Sequence, residues 1–210
     1  MSALLHLDLL EQLSFYGQYH NNKANQMIHG IFVPAIFWSV CVWLAYAVLP
    51  FDLPQQLSSW PLPDWFTSGC VANGALILSM VYGAYYTVLE PCAGFTWTIF
   101  QGWPMWFTAT LFRQAVPHAW AWAIGVHIFS WWAQVHIGHI MIEGTRPALT
   151  HSFFQSLVLA NLFVWLEALF AVGYRPGLQA ALHDRVSKTM TERRSQQESL
   201  LKPSAEPSRH

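Results

Sequence analysis

The chain has 210 residues, of which 54% are hydrophobic, 16% aromatic and only 10% charged, and its formal net charge is −1. Soluble domains usually carry about 25% charged residues, so this chain has too little charge to cover a soluble globule. Only Lys23, Arg113 and Arg146 among the basic residues precede residue 175. That leaves no basic face of the kind that follows phosphates, and nucleic acid is not expected as a partner.

The N-terminal segment, residues 1–18, predicts an amphipathic helix. Its apolar side chains Leu5, Leu9, Leu13 and Tyr16 recur at helical spacing on one stripe. Such a helix either lies on a membrane surface or caps a helical bundle.

Five apolar stretches follow, with lengths near the roughly 20 residues that a transmembrane helix needs. They cover residues 30–49, 69–89, 95–112, 119–142 and 153–172. The third is interrupted by Gly102-Trp103-Pro104, which favours a kink or a re-entrant segment. The pattern predicts an all-α, polytopic transmembrane bundle of four to five hydrophobic segments, one of them a candidate re-entrant segment.

The distribution of basic residues predicts the orientation of the C-terminus. Seven of the ten Lys and Arg residues lie from Arg175 onward, which places the C-terminal tail in the cytoplasm by the positive-inside tendency. The polar composition predicts that residues 183–210 form a disordered tail, after a single membrane-embedded helical domain over residues 1–182. The expected location is the endoplasmic reticulum in a eukaryote or the inner membrane in a bacterium.

A first polar cluster lies ahead of the apolar stretches. His20 and His29 are nine residues apart and point to opposite sides of any one straight helix. Asn21 and Asn22 favour caps and turns, so we predict a helix end near His20 and a helix start near Asn22, which lets both imidazoles converge. Asn25 is assigned either to orienting His29 or to contacting a substrate. The alternative is that the asparagines cap a helix and the histidines are interfacial.

A second polar cluster closes the fourth apolar stretch. On an ideal α-helix His136, His139 and Glu143 share one narrow face, joined by Arg146 if the helix continues. Imidazoles and carboxylates at membrane depth are costly unless they pair or bind a metal. Two histidines and a carboxylate suit Zn or non-heme Fe, whose facial triad leaves positions open for substrate and O2. A His-x-x-His spacing by itself is also typical of imidazoles that bond to neighbouring helices.

Other chemistries have less support. The same helical arithmetic directs His127 and Gln134 to the far side of the segment, away from His136. The remaining histidines are fewer than the repeated His boxes of membrane di-iron desaturases and hydroxylases require. No Gly-x-Ser-x-Gly elbow and no phosphate-binding glycine loop is present in the sequence.

The two clusters together resemble a known family. The motifs run Phe15-Tyr16, Tyr19-His20, Asn22, Asn25, Ile28-His29 and Val33-Pro34, then Gly138-His139, Glu143, Arg146-Pro147-Ala148-Leu149, Gln155-Ser156-Leu157 and Glu167. In this order they resemble the membrane-embedded 2-hydroxy fatty acid dioxygenases of fatty acid α-oxidation. The match covers the N-terminal third and about residues 130–175. Lys23 stands where the family commonly has proline, and Val135 where it usually has glutamine.

The resemblance implies an enzyme that uses Fe(II) and O2 to shorten a 2-hydroxy fatty acid by one carbon, releasing CO2 without 2-oxoglutarate. His20, His29 and His139 are its implied iron ligands, with His136 as a candidate fourth. Glu143 is either a ligand or the group that orients an imidazole, and Arg146 neutralises the substrate carboxylate. Two alternatives stay open, namely a heme-binding membrane electron carrier with axial histidines and a membrane scaffold whose histidines only form hydrogen bonds.

Overall fold

The computed structural model describes residues 8–20, 22–51, 53, 55, 59–144 and 153–201, and of residues 153–156, 193, 194 and 197–201 it describes the backbone only. Over these ranges the chain is all-helical. The α-helices are α1 (Leu9–Gly17), α2 (Lys23–Leu44), α3 (Asp64–Gly69), α4 (Gly74–Leu89), α5 (Pro91–Trp97), α6 (Trp103–Ala115), α7 (Ala119–Trp132), α8 (Phe153–Ala171) and α9 (Pro176–Leu201). Two π-helical segments are π1 (Thr98–Gly102) and π2 (Ala133–Glu143). The expected all-α class is confirmed.

The predicted break between the first two helices is confirmed. Helix α1 ends at Gly17, and α2 begins at Lys23 behind the N-cap residue Asn22. The Asn22 side chain accepts a hydrogen bond of 2.9 Å from the backbone N–H of Ala24, which satisfies one of the free donors at the start of the helix. The chain therefore turns between the two helices and brings His20 back toward the N-terminal turns of α2.

The interruption expected at Gly102-Trp103-Pro104 coincides with a change of helical winding. The π-turn π1 ends at Gly102, and Pro104 lies in the first turn of α6. Proline is tolerated there because the first N–H groups of a helix have no partner within that helix. A second change of winding occurs where α7 runs directly into π2 at Ala133, and this change was not predicted.

Only part of the membrane prediction is supported. Each of the five predicted apolar stretches contains helix, but among the described residues only α2 is long and apolar enough to cross a membrane. Helix α4 and residues 157–171 of α8 are apolar but shorter. A bundle with several crossings, including a re-entrant one, therefore stays a prediction.

Helix α2 lies at the centre of the packing. It contacts α4, α6, α7, π2 and α8, so most of the other helices are arranged around it. The buried apolar cluster of the described chain includes Phe37, Cys41 and Val42 on α2 together with Trp97 and Leu162. Helix α1 packs on α8 and α9, and its Leu13 and Tyr16 side chains are buried. Of the two roles expected for this helix, the structure supports the cap on the helical bundle.

A polar contact fixes the corner between α8 and α9. The buried carboxylate of Glu90 forms an ion pair with Arg175 Nη1 at 3.1 Å and accepts a hydrogen bond of 2.8 Å from the hydroxyl group of Tyr174. Glu90 also caps α5 by accepting a hydrogen bond from the backbone N–H of Ala93. The α4–α5 junction is thereby joined to the start of α9.

The predicted disorder of the tail from residue 183 is wrong for the part that the structure describes. Residues 183–201 belong to α9, and Leu182 and Val186 on this helix are buried in the core. The domain boundary predicted at residue 182 therefore falls inside a helix. Average composition missed the helix because two apolar residues four positions apart are enough to pack a polar helix on one side. Residues 202–210 lie outside the described residues.

Candidate metal centre

Three imidazoles from three parts of the chain meet in the interior. His20 lies in the α1–α2 junction, His29 on α2 and His139 on π2, and all three are buried. Their ring centroids are 4.3 Å apart for His20 and His29, 4.8 Å for His20 and His139, and 5.0 Å for His29 and His139. One ring nitrogen of each lies within 4.8 Å of those of the other two. The predicted convergence of the two polar clusters is confirmed.

Backbone carbonyl groups orient two of these rings. His20 Nδ1 donates to the carbonyl oxygen of Tyr16 at 2.9 Å, and His29 Nδ1 donates to the carbonyl oxygen of Asn25 at 3.0 Å. Each carbonyl belongs to the residue four positions earlier, one helical turn away. With Nδ1 protonated, a neutral imidazole presents the lone pair of Nε2. This is the arrangement in which protein histidines bind metal ions.

Burial keeps the junction histidine neutral. It lowers the pKa of the His20 imidazole well below its ordinary value, and the neighbouring His29 adds to the effect. The Tyr16 ring stacks on His20 at a centroid distance of 4.0 Å and an angle of 5°, so the imidazole plane is held on one side by an aromatic ring.

The set of donor atoms fits a metal ion. His20 Nε2 and His139 Nδ1 are fully buried and have no hydrogen-bond partner. A buried polar atom without a partner costs about 1–3 kcal/mol, and a cation that accepts the lone pairs removes this cost. Three nitrogen donors suit Zn, Fe, Cu or Ni and leave coordination positions for other molecules.

A glycine allows π2 to approach α2 at this point. A Cβ atom at Gly138 would lie 2.4 Å from Asn25 Oδ1 and 3.3 Å from His29 Cε1. The first of these distances is far below van der Waals contact, so a larger residue requires the Asn25 amide or one of the two helices to move. Gly138 therefore determines the distance of the adjacent His139 from His29.

Glu143 joins the end of π2 to the start of α2. Its Oε2 accepts a hydrogen bond of 3.0 Å from the backbone N–H of Asn22 and one of 3.1 Å from the Asn25 side-chain amide. A carboxylate at a helix N-terminus is also favoured by the helix dipole. Asn25 supports His29 through its backbone carbonyl, whereas its side chain binds Glu143, so the expectation that the amide orients the imidazole is wrong.

Sequence comparisons relate this chain to known proteins. Residues 7–172 match the family model described as 2-hydroxy-palmitic acid dioxygenase Mpo1-like. The chain belongs to the Mpo1-like family. A curated relative, 2-hydroxy-palmitic acid dioxygenase MPO1 of Saccharomyces cerevisiae, is 31% identical over 179 residues, which are 85% of this chain and 90% of the yeast protein. No solved structure matches the chain.

The family match includes all three buried histidines of this Mpo1-like chain, and all of α9 lies beyond it. The resemblance inferred from the two motifs is confirmed. The order of the motifs was enough to identify the Mpo1-like family from the sequence. In this order, histidines lie on both sides of more than a hundred residues of largely apolar sequence.

One predicted site residue, His136, is not brought to the three imidazoles. His136 is exposed and stacks on Trp132 at a centroid distance of 5.8 Å. The prediction that His136 and His139 share one face assumes an α-helix. The segment π2 instead has i to i+5 hydrogen bonds, and this different winding directs residues three positions apart to different sides. Arg146 lies outside the described residues.

A cavity of about 290 Å³ begins at the three histidines. Its walls come from α1, α2, α4, α7, π2 and α8, and they are mostly apolar. The lining residues are Tyr16, His20, His29, Val33, Ile36, Phe37, Val40, Leu78, Tyr82, Trp131, Gln134, Val135, His139, Leu157, Ala160 and Asn161. The Mpo1-like chain therefore combines a nitrogen-rich site with an apolar chamber.

Three polar residues of the cavity were missed as site residues. Tyr16 was interpreted as packing only, Gln134 was assigned to the opposite face, and Asn161 on α8 was not considered. A π-helix turns through a smaller angle per residue than an α-helix, so Gln134 and His139, five residues apart, both line the cavity. The signal for Asn161 was available in principle, because an amide inside an apolar segment needs a hydrogen-bonding partner.

Proposed function

We propose that the chain is a non-heme iron dioxygenase of fatty acid α-oxidation, which converts a 2-hydroxy fatty acid and O2 into the fatty acid one carbon shorter and CO2. Family membership and the name of the yeast relative, a 2-hydroxy-palmitic acid dioxygenase, support the substrate class. The single observation that carries the proposal is the triad of buried imidazoles at one end of an apolar cavity.

His20, His29 and His139 would hold the ion, with each ring presenting one nitrogen. Iron is preferred to zinc because zinc has no redox chemistry, whereas a dioxygenase must exchange electrons with O2. When bound, Fe(II) would supply O2 activation and open positions for the substrate. The protein contributes fixed ring orientations through the carbonyls of Tyr16 and Asn25 and an interior that limits access of water.

The reaction is balanced without a second organic substrate. Breaking the C1–C2 bond releases C1 as CO2 and oxidises C2 to the new carboxyl group, so the 2-hydroxy acid gives up four electrons and the products are the shorter acid, CO2 and water. One O2 molecule takes up four electrons when it is fully reduced. This agreement is the reason to expect no 2-oxoglutarate requirement.

The acyl chain would lie along α2. Residues 29, 33, 36, 37 and 40 recur at helical spacing and line the cavity. Eleven residues separate His29 from Val40, about 16 Å at 1.5 Å per residue. A cavity of this length favours a long acyl group, and each buried methylene contributes about 0.8 kcal/mol to binding.

A lipid bilayer is the proposed environment. Large apolar side chains are exposed on several helices, among them Ile31 on α2, Met80 on α4, Ile128 on α7 and Met141 on π2. Contiguous exposed apolar surface is unusual for a soluble monomer and suits contact with lipid. The proposed location is the endoplasmic reticulum in a eukaryote or the inner membrane in a bacterium, with the C-terminal tail in the cytoplasm.

The site geometry disfavours a heme carrier. A heme bound by two axial imidazoles needs the space between those two rings for its macrocycle. The third imidazole occupies that region here, because every pair of ring centroids among the three lies 5.0 Å apart or less. Three converging nitrogen donors suit a single metal ion better than a heme.

The deciding experiment is reconstitution of the purified full chain with Fe(II) without oxygen, followed by addition of O2 and 2-hydroxypalmitate. Mass spectrometry should detect pentadecanoate and CO2 in equal amounts, and palmitate should give no product. Absence of pentadecanoate from iron-loaded wild type, or a Soret band in its optical spectrum, would remove the proposal. A scaffold would bind no metal in any variant.

A further inference from the structure

The cavity contains an unsatisfied acceptor opposite the π-helix. Asn161 is only 5% exposed, and its Oδ1 atom has no hydrogen-bond partner. Leu157, Ala160 and Asn161 form one stripe of α8 that lines the cavity, at the i, i+3 and i+4 positions of a helix face. Buried polar atoms are nearly always paired in folded proteins. Of the unpaired ones in the described chain, three belong to residues that line the cavity, namely His20, His139 and Asn161, and this grouping points to a ligand in the cavity.

Asn161 lies on the part of α8 that packs near His20. Two positions further along α8, the ring of Phe163 packs on Tyr16 at a centroid distance of 4.4 Å and on His20 at 6.0 Å. Across the cavity, the buried Gln134 side chain donates through its amide nitrogen to the carbonyl oxygen of Ser130 at 3.2 Å. Asn161 therefore lies within one turn of α8 from the residue that packs on His20.

The chemistry of the missing partner follows from the atom type. A carbonyl oxygen only accepts hydrogen bonds, so its partner must carry a proton. In a 2-hydroxy fatty acid the ionised carboxylate has no proton to donate and the acyl chain has no polar atom. The 2-hydroxyl group is the only donor in such a molecule.

We propose that Asn161 Oδ1 accepts a hydrogen bond from the 2-hydroxyl group of the substrate and thereby selects 2-hydroxy acids over acids without that group. The inference rests on the proposed function and names a residue for its specificity. An acid without the hydroxyl leaves the buried oxygen unpaired, and sites built around a substrate hydroxyl discriminate strongly against analogues that lack it.

The substitution Asn161→Leu tests this assignment, because leucine has the same branched shape as asparagine and removes the oxygen. Anaerobic equilibrium binding is measured on the full-length, Fe(II)-loaded protein in detergent with three ligands, 2-hydroxypalmitate, palmitate and 2-fluoropalmitate. Fluorine is close to hydroxyl in size but has no proton to donate. Any contribution of the metal to the preference is common to both proteins and cancels in their comparison.

The preference of wild type for 2-hydroxypalmitate over the other two ligands should fall about 10-fold to 100-fold in the variant, as expected for one buried hydrogen bond. The melting temperature of the ligand-free variant should equal or exceed that of wild type, because an unpaired polar atom has been replaced by an apolar group. Val40→Ala is the control at the far end of the cavity. It should weaken all three ligands by similar factors and leave the preference unchanged.

An unchanged preference in a folded Asn161→Leu protein would overturn the assignment. Failure of the proposed function gives a different result. In that case wild type itself forms no pentadecanoate, whereas failure of the Asn161 assignment alone leaves wild-type turnover intact.

Discussion

At the residue scale, the candidate site depends on which ring nitrogen each histidine presents. The carbonyls of Tyr16 and Asn25 engage Nδ1 of His20 and His29, and these carbonyls are part of the helical backbone. The orientation of the rings thus depends on local helix geometry and is available before any metal binds. Preformed donors reduce the cost of ordering a site when the ion arrives.

Substitutions of single histidines should distinguish the metal ligands from histidines that do not bind the ion. His139→Ala and His20→Ala should each lose bound iron and at least about 100-fold of pentadecanoate formation, because each removes one of three donors. His136→Ala is the matched control on the same π-helix and should keep both, since its ring is exposed beside Trp132. Metal analysis and product mass spectrometry provide the measurements, and iron loss in His136→Ala would contradict the assignment.

At the element scale, the site is a contact between α2 and π2. Gly138 allows close approach at one point, and Glu143 binds both Asn22 and Asn25 at the end of the contact. The two segments are more than a hundred residues apart in sequence. Their relative position determines whether His139 reaches the pair on the N-terminal side.

A methyl group at Gly138 should open the site. In Gly138→Ala the new Cβ collides with Asn25 Oδ1 and crowds His29 Cε1. Either the Asn25 amide loses its bond to Glu143 or π2 moves away from α2, and iron affinity should fall about 10-fold to 100-fold in both cases. Gly125→Ala on α7 is the control, because a Cβ atom there meets nothing within 4 Å. Iron titration of both variants measures the effect, and equal affinities would show that the contact does not control the site.

At the scale of the whole molecule, the cavity is lined by the imidazoles and by residues of α2 and α4. Helices from both ends of the chain, α1 and α8 among them, form its walls. Helix α9 covers α1, where Val186 Cγ2 lies 3.0 Å from the Cβ position of Gly17. A segment that composition alone assigns to disorder is therefore part of the support for the helix that leads to His20.

Filling the far end of the cavity should shift the chain-length preference. Val40→Phe adds volume about 16 Å along α2 from His29, so turnover of 2-hydroxypalmitate should fall about 10-fold or more, while a 2-hydroxy acid several carbons shorter should be affected little. Comparing kcat/KM for the two acids gives the answer. Equal losses for both would mean that the acyl chain does not extend along α2.

The contribution of α9 to stability can be measured with a pair of neighbouring substitutions. Leu182→Ala removes a buried side chain and should lower the free energy of unfolding by about 2–4 kcal/mol. His183→Ala, one position later on the exposed side of the helix, should change it by less than about 0.5 kcal/mol. Thermal melting in detergent compares the two, and a disordered tail would leave both values near zero.

Local pattern in the sequence determined much of this protein. The asparagines behind His20 predicted the helix break, the length of the apolar stretches predicted the helices, and motif order predicted the family and the triad of histidines. Each of these depends on residues close in sequence or on the known order of motifs in a family. Such signals do not require knowledge of how distant segments pack.

Tertiary structure alone decided which other side chains face the cavity. An α-helical projection assigned His136 to the site and Gln134 to the opposite face, and the π winding of Ala133–Glu143 exchanged them. Asn161 reached the cavity because α8 packs near the α1–α2 junction, a contact between segments far apart in sequence. The direction of a side chain depends on how its helix is wound and how that helix packs. Hydrophobic periodicity at 100° per residue assumes α-helical winding and carries no information about packing.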